Sequence, residues 1–206
     1  MKKIGFLLSG SGSTLNNLIQ KIKEKYLECE ISVVISSKKG VKGIEIAKEN
    51  NIPCFIVEYL KYKNDIEKYS NEITKIIKKY SVDLIVMGGF MSLYKIPDEF
   101  KNRVINIHPA LIPAFCGKGM YGIKVHEAVI EYGAKITGCT VHFVDNEYDH
   151  GPIIYQEAIR VLPNDTPETL AERVKELERK VYPYVIKKIL EKKFKINGKK
   201  VFLEED

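Results

Sequence analysis

Two short runs hold the residue types needed to move an acyl group onto an amine: Asn106-Ile107-His108-Pro109 and Asp149-His150-Gly151-Pro152. An amide N–H can receive the oxyanion that develops when an amine attacks a carbonyl carbon. An imidazole can stabilise that charge as its cation and deliver a proton to the leaving nitrogen. A carboxylate can raise the imidazole pKa by favouring the cation, or it can hold a water that relays the proton of the attacking amine. For Asp149 both roles stay open. Asn106 and His108 are two residues apart at the end of the apolar run Val104-Ile105-Asn106-Ile107. On a strand they project from one face, ahead of the break at Pro109. Strand ends of this kind are where ligands sit in open α/β sheets. The competing reading is a backbone-bonded structural histidine and an ordinary turn aspartate.

A second chemistry-bearing stretch is Ser9-Gly10-Ser11-Gly12-Ser13-Thr14. It joins the first apolar run to the first amphipathic one, so its backbone N–H groups and the Ser13 and Thr14 hydroxyls can cradle a phosphate at a helix start. It is not a dinucleotide fingerprint, because Leu15 stands where a third glycine belongs and Ser36-Ser37 where an acidic residue belongs. Nor is it a P-loop, which requires Gly-Lys-Ser/Thr. Gly88-Gly89-Phe90-Met91 closes another apolar run. Its glycines either admit a flat ring beside Met91 and Leu93 or only pack a turn against a helix. Residues 115–122 are glycine-rich and are expected to form a mobile lid. His142 joins the site or lies at the surface, His126 is structural or exposed, and His150 tunes Asp149 or is solvated.

Positioning these groups requires a sheet. Apolar runs at residues 4–8, 31–36, 54–57, 83–87 and 104–107 alternate with amphipathic runs at 14–26, 41–50 and 65–80. This alternation predicts a Rossmann-like α/β fold, an open, mostly parallel twisted sheet with helices on both faces. The second half differs. A helix is expected over 123–132, longer antiparallel strands over 137–144 and 153–161, and a long helix over 166–192 opened by Asp165 or Thr166 before Pro167. Asn197-Gly198 predicts a hairpin between 194–196 and 201–203.

A chain of 206 residues with 45% hydrophobic and 29% charged residues is an ordinary globular chain. No apolar run reaches membrane-span length. Cys29, Cys54, Cys116 and Cys139 are scattered without a CxxC pair, which argues against zinc and for reduced thiols in the cytoplasm. The net charge of +6 is spread along the helices, which favours small anionic substrates over nucleic acid.

Taken together, the motifs resemble the phosphoribosylglycinamide formyltransferases, folate-dependent enzymes of purine synthesis. The resemblance runs from the Ser-Gly-Ser-Gly-Ser loop through Gly89-Phe90-Met91 and Asn106-Ile107-His108-Pro109-Ala110-Leu111-Ile112-Pro113. It continues with Gly138-Cys139-Thr140-Val141-His142-Phe143-Val144, Asp149-His150-Gly151-Pro152 and Tyr182-Pro183. It implies one formyltransferase domain over 1–206, with a ribotide phosphate-binding half (1–100) and a catalytic and folate-binding half (101–206). It implies that Asn106, His108 and Asp149 carry the chemistry. Gly12, Ser13 and Thr14 would hold the ribotide phosphate, and Lys175 and Glu178 would lie near the phosphate and the ribose hydroxyls. The pterin of 10-formyltetrahydrofolate, the co-substrate, would lie against Met91, Ser92, Leu93, Tyr94, Asn106 and the loop Asp145, Asn146, Glu147, Tyr148 and Asp149. This chain departs from the pattern at Thr14, where Asn is common, and at Ser92, where a basic residue is frequent. The loop at 115–122 is longer than in the shorter bacterial members. No arginine precedes the third helix to hold the folate tail, and Lys61 or Lys63 is the candidate substitute.

The expected reaction passes the formyl group to the amine of glycinamide ribotide without a metal, membrane or nucleic acid, in a monomer or homodimer. Asp149 is expected to keep His108 cationic near neutral pH. Two related activities are weighed against this: formyltetrahydrofolate hydrolysis, whose enzymes carry an additional N-terminal regulatory domain, and methionyl-tRNA formylation, whose enzymes carry a C-terminal nucleic-acid-binding barrel. A basic RNA binder is the reading from another class, but no segment interleaves basic and aromatic residues as such a surface requires.

Overall fold

The computed structural model describes residues 1–204. Seven strands make one sheet in the order β3-β2-β1-β4-β5-β6-β7, and a separate two-stranded sheet pairs β8 with β9. The chain divides into two compact units, Met1–Ile105 and a second beginning at Asn106.

The first unit runs β1 (Lys2–Leu8), α1 (Ser13–Lys23), β2 (Cys29–Ser36), α2 (Lys42–Glu49), β3 (Cys54–Ile56), α3 (Ile66–Lys79) and β4 (Leu84–Met87). Strand β1 pairs in parallel with both β2 and β4, and β2 pairs in parallel with β3. Central parallel strands are covered on both faces and therefore read as continuous apolar runs. Accordingly, all four residues of β4 are buried, and Ile4, Phe6, Leu7 and Leu8 of β1 have no exposed surface. Helix α1 buries Leu15, Leu18 and Ile19 and ends earlier than its apolar period suggested, because Lys25 turns left-handed and directs the chain into β2. Helix α3 is capped by the Asp65 carboxylate, which accepts from the Lys68 N–H at 2.9 Å.

Strand β5 (Val104–His108) closes the first unit and opens the second. Then follow α4 (Ile123–Tyr132), β6 (Ile136–Phe143), β7 (Ile153–Arg160), α5 (Pro167–Leu190), β8 (Phe194–Asn197) and β9 (Lys200–Leu203). The C-terminal antiparallel addition is the β6–β7 pair, and a register shift falls between Val141 and His142. Helix α5 starts with Pro167 at its first position and a reciprocal cap in which the Thr166 and Thr169 side chains meet each other's backbone N–H.

His126, on α4, is not a surface residue. It is 4% exposed, and among the described residues its Nδ1 meets no hydrogen-bond partner. Burial, reinforced by the field of His108, pushes its pKa from 6.5 down to about 4. The unfolded chain therefore takes up a proton below pH 6.5 that the folded chain refuses until about pH 4, so stability falls as the pH drops through that window. Between pH 7 and pH 5 the loss from this one group is expected to be about 2 kcal/mol. Urea unfolding at both pH values should show a correspondingly flatter dependence in His126→Leu. Parallel profiles for the two proteins would mean that the histidine is not held neutral by the fold.

Candidate active site

Strand β5 presents Asn106 and His108 side by side, and His108 is 3% exposed. The chain that leaves β5 is tied down at once. The Thr140 hydroxyl on β6 donates to the Ala110 carbonyl at 2.7 Å and accepts from the Ile112 N–H at 3.0 Å. Gln156 of β7 donates to the Ile112 carbonyl at 2.9 Å.

Four side chains then form a connected series. His108 Nδ1 lies 3.5 Å from Asp149 Oδ2, and Asp149 Oδ1 lies 3.7 Å from His142 Nε2. His142 Nε2 lies 3.3 Å from Asn106 Nδ2. Each ring commits its other nitrogen to a backbone carbonyl: His108 Nε2 to Phe115 at 2.8 Å and His142 Nδ1 to Phe143 at 2.8 Å. A carbonyl only accepts, so both of these nitrogens carry hydrogen. In neutral His142 the Nε2 lone pair then accepts from the Asn106 amide, leaving the second amide hydrogen of Asn106 for another acceptor. The Gly117 N–H also donates to Asp149 Oδ2, at 2.9 Å.

The loop between β6 and β7 aims the carboxylate. Asp149 sits in the left-handed region at φ 52°, a conformation that costs most side chains energy and that Asp tolerates better than most. The loop returns so closely that a Cβ on Gly151 would lie 1.9 Å from the Phe143 carbonyl oxygen. Only glycine fits there.

Burial pushes the Asp149 carboxyl up, but hydrogen bonding from His142 and the field of His108, each in its protonated form, together with the Gly117 N–H outweigh it and hold the group below the ordinary carboxylate value. For His108 the balance goes the other way. Burial lowers its pKa, and the Asp149 charge and the Phe115 carbonyl only partly restore it, while His142 lowers it further. This corrects the expectation that Asp149 keeps His108 cationic near neutral pH: the carboxylate favours the cation, but desolvation of the ring is larger. His108 therefore rests toward its neutral form and is poised to take a proton at Nδ1, beside Asp149, when negative charge develops nearby.

In the first unit, Gly12 caps α1 at φ 71°, and a Cβ there would sit 2.6 Å from Gly43 Cα. No side chain caps this helix, which suits its first-turn amides, with the Ser13 and Thr14 hydroxyls, to an anion. Ser9 ties this loop to the end of β4: its Oγ accepts from the Met91 N–H at 2.9 Å, and its N–H donates to the Gly89 carbonyl at 3.0 Å. A Cβ on Gly88 would collide with Phe6 and Thr14, so this glycine serves close packing against α1. Met91 is exposed and Leu93 half-buried, but Ser92 and Tyr94 are buried. The Tyr94 hydroxyl bonds to Thr74 at 2.8 Å, so its ring belongs to the core and offers no face to a ligand.

In the second unit, Lys175 and Glu178 lie three residues apart on α5, on one face of the helix. Lys175 pairs with Glu172 at 3.2 Å. Burial, opposed by Lys175, pushes the Glu178 carboxyl up to about 8, so it can donate as well as accept. The loop residues Asp145, Asn146, Glu147 and Tyr148 precede Asp149; of these, Asn146, Glu147 and Tyr148 are exposed. Sequence reasoning left His142 undecided and missed the backbone groups of Phe115 and Gly117. The polar pair Thr140 and His142, alternating on an otherwise apolar strand, was the available signal for the first; the others carry no side-chain signature.

Residues 2–186 match the family described as formyl transferase. The chain belongs to the formyl transferase family. The matched region reaches from the first unit into α5 of the second and ends before the β8–β9 hairpin. A curated relative, the chloroplastic phosphoribosylglycinamide formyltransferase of Arabidopsis thaliana, is 39% identical over 196 residues, covering 94% of this chain and 67% of that protein. The human trifunctional purine biosynthetic protein adenosine-3 is 35% identical over 208 residues, covering 99% of this chain but 20% of that protein. The glycinamide ribonucleotide transformylase 1 structure from Symbiobacterium toebii superposes with a TM-score of 0.91 at 34% identity, covering 100% of this chain and 95% of that one.

Among the described residues no His, Cys, Asp and Glu cluster is placed to hold a metal ion, and no helix is long and apolar enough to cross a membrane.

The loop return at Gly151 can be tested directly. Gly151→Ala is expected to cost about 1–3 kcal/mol by forcing the loop off β6. Gly198→Ala, at a left-handed but open hairpin turn, should cost about 1 kcal/mol. Urea midpoints of the two variants decide it; a smaller loss at 151 than at 198 would show that the loop yields without resistance.

Proposed function

We propose that this chain transfers the formyl group of 10-formyltetrahydrofolate to the amine of N1-(5-phospho-D-ribosyl)glycinamide. The products are the formylated ribotide and tetrahydrofolate, in de novo purine synthesis. The observation that carries this reading is the convergence of an amide, an imidazole and a carboxylate in one group around two buried histidines, in a chain whose family transfers formyl groups. We assign residues 1–206 to one formyltransferase domain, with a phosphate-binding half over 1–100 and a catalytic, folate-binding half over 101–206. The enzyme works in the cytoplasm as a monomer or homodimer.

The amine attacks the formyl carbon, and the carbonyl oxygen gathers negative charge. Asn106 gives that oxygen its second amide hydrogen. His108 gives it the Nε2–H now bonded to Phe115. Nδ1 of His108, facing Asp149, takes up a proton as the charge grows, and the ionised carboxylate stabilises the resulting cation. The proton lost by the amine passes through water held by Asp149 to that Nδ1, and it leaves again through water for N10 of the folate as the tetrahedral intermediate collapses and the C–N10 bond breaks. Gly12, Ser13 and Thr14 hold the ribotide phosphate, with Lys175 and Glu178 on its ribose side. The pterin rests on Met91, the backbone of Ser92, Leu93 and Tyr94, Asn106 and the loop from Asp145 to Asp149. Lys61 or Lys63 takes the folate tail.

The test is deformylation of 10-formyltetrahydrofolate followed by absorbance, with and without the ribotide. Turnover is expected only with ribotide. His108→Ala, Asp149→Asn and Asn106→Ala should each lower kcat by about 10²–10³ while ribotide binding, read by calorimetry, persists. Turnover without ribotide would identify a hydrolase, and loss of ribotide binding in the three variants would make these residues structural.

A further inference from the structure

The loop that carries Asp149 is held from outside by the C-terminal hairpin. Within the loop the Asp145 carboxylate spans both ends: Oδ1 accepts from the Glu147 N–H at 2.9 Å, and Oδ2 lies 2.8 Å from His150 Nδ1. The other ring nitrogen, His150 Nε2, lies 2.7 Å from Lys199 Nζ. A lysine ammonium only donates and a carboxylate only accepts. The ring between them is therefore the neutral tautomer, receiving a hydrogen at Nε2 and giving one at Nδ1. Lys199, His150 and Asp145 form a chain in which every hydrogen bond points toward the carboxylate, with a charged group at each end. Lys199 belongs to the turn between β8 and β9, beside Gly198 at φ 60°. The hairpin is itself anchored, since the Phe194 and Phe143 rings approach with centroids 5.7 Å apart. The loop carries Asp145, Glu147 and Asp149, three carboxyl groups within five residues, and Lys199 is the cation that the hairpin brings to it.

We propose that Lys199 is a positioning residue that acts through His150 and Asp145 to hold the loop in the shape that keeps Asp149 against His108 and His142. The hairpin thereby belongs to the working site although it lies beyond the matched family region. The part of this inference that concerns turnover rests on the formyl transfer proposed above; the part that concerns loop order does not.

Hydrogen exchange on the full-length protein reads loop order without any substrate. Amides of residues 145–150 should exchange about three to ten times faster in Lys199→Ala and in His150→Ala, as expected for loss of a partly exposed charged hydrogen bond. The Lys199→Ala/His150→Ala double variant should exchange no faster than the faster single variant, because the two residues act as one unit. Lys199→Arg should restore the wild-type rate, and β6 amides should be unchanged throughout. In the formyl transfer assay the same alanine variants should lose about threefold to tenfold in kcat/KM for formyl folate with the ribotide KM unmoved. Unchanged loop exchange in both alanine variants, or losses that multiply in the double variant, would overturn the clasp. A wild-type protein without ribotide-dependent turnover would sink the transfer reading while the exchange rates still decide the clasp.

Discussion

A carboxylate largely withdrawn from water must be paired, and the arrangement around Asp149 follows from that requirement. Its charge costs free energy on leaving water and persists only where fixed donors and cations replace the solvent. Here the Gly117 N–H donates to it, and two imidazoles from different strands stand 3.5 and 3.7 Å away, each able to pair with it on taking up a proton. Each imidazole is in turn oriented by one backbone carbonyl. The left-handed backbone at Asp149 and the missing side chain at Gly151 are the local conditions that let the loop deliver the carboxylate to this place.

The same burial sets the chemistry. Desolvation holds His108 toward its neutral form while Asp149 stays ionised. The pair is therefore a base beside an anion until charge develops on a substrate. Such an environment stabilises a developing oxyanion more in the transition state than in the ground state, which is the condition for acceleration. Glu178 shows the opposite outcome for a carboxyl: half-buried, with one lysine to oppose desolvation, it rises to about 8. Two acids in one half of the chain are thus tuned apart by the number of partners each has.

Much of the architecture was legible in the residues. The alternation of apolar and amphipathic runs located β1 to β5 and α1 to α3 within a few residues, because parallel strands buried on both faces must be apolar throughout. The Asn106-x-His108 spacing correctly put both side chains on one face of a strand end. What misled was local: the period of α1 ran on past the left-handed turn at Lys25. The role of His142 was undecidable from alternation, because every residue of β6 after its first is buried and the register shift lies beside it.

The sequence by itself determined the set of chemical groups, the order of strands and helices, and the identity of the glycines on which close approaches depend. These follow from periodicity and side-chain volume, which are properties of neighbouring residues. Only the tertiary structure decided that Asp149 meets two imidazoles rather than one, that burial outweighs its field at His108, and that Phe115 and Gly117 contribute through backbone atoms. It likewise decided that Lys199 reaches His150 across a sequence separation of 49. Desolvation and hydrogen-bond geometry depend on everything packed around a group, and no local pattern in a chain encodes that sum.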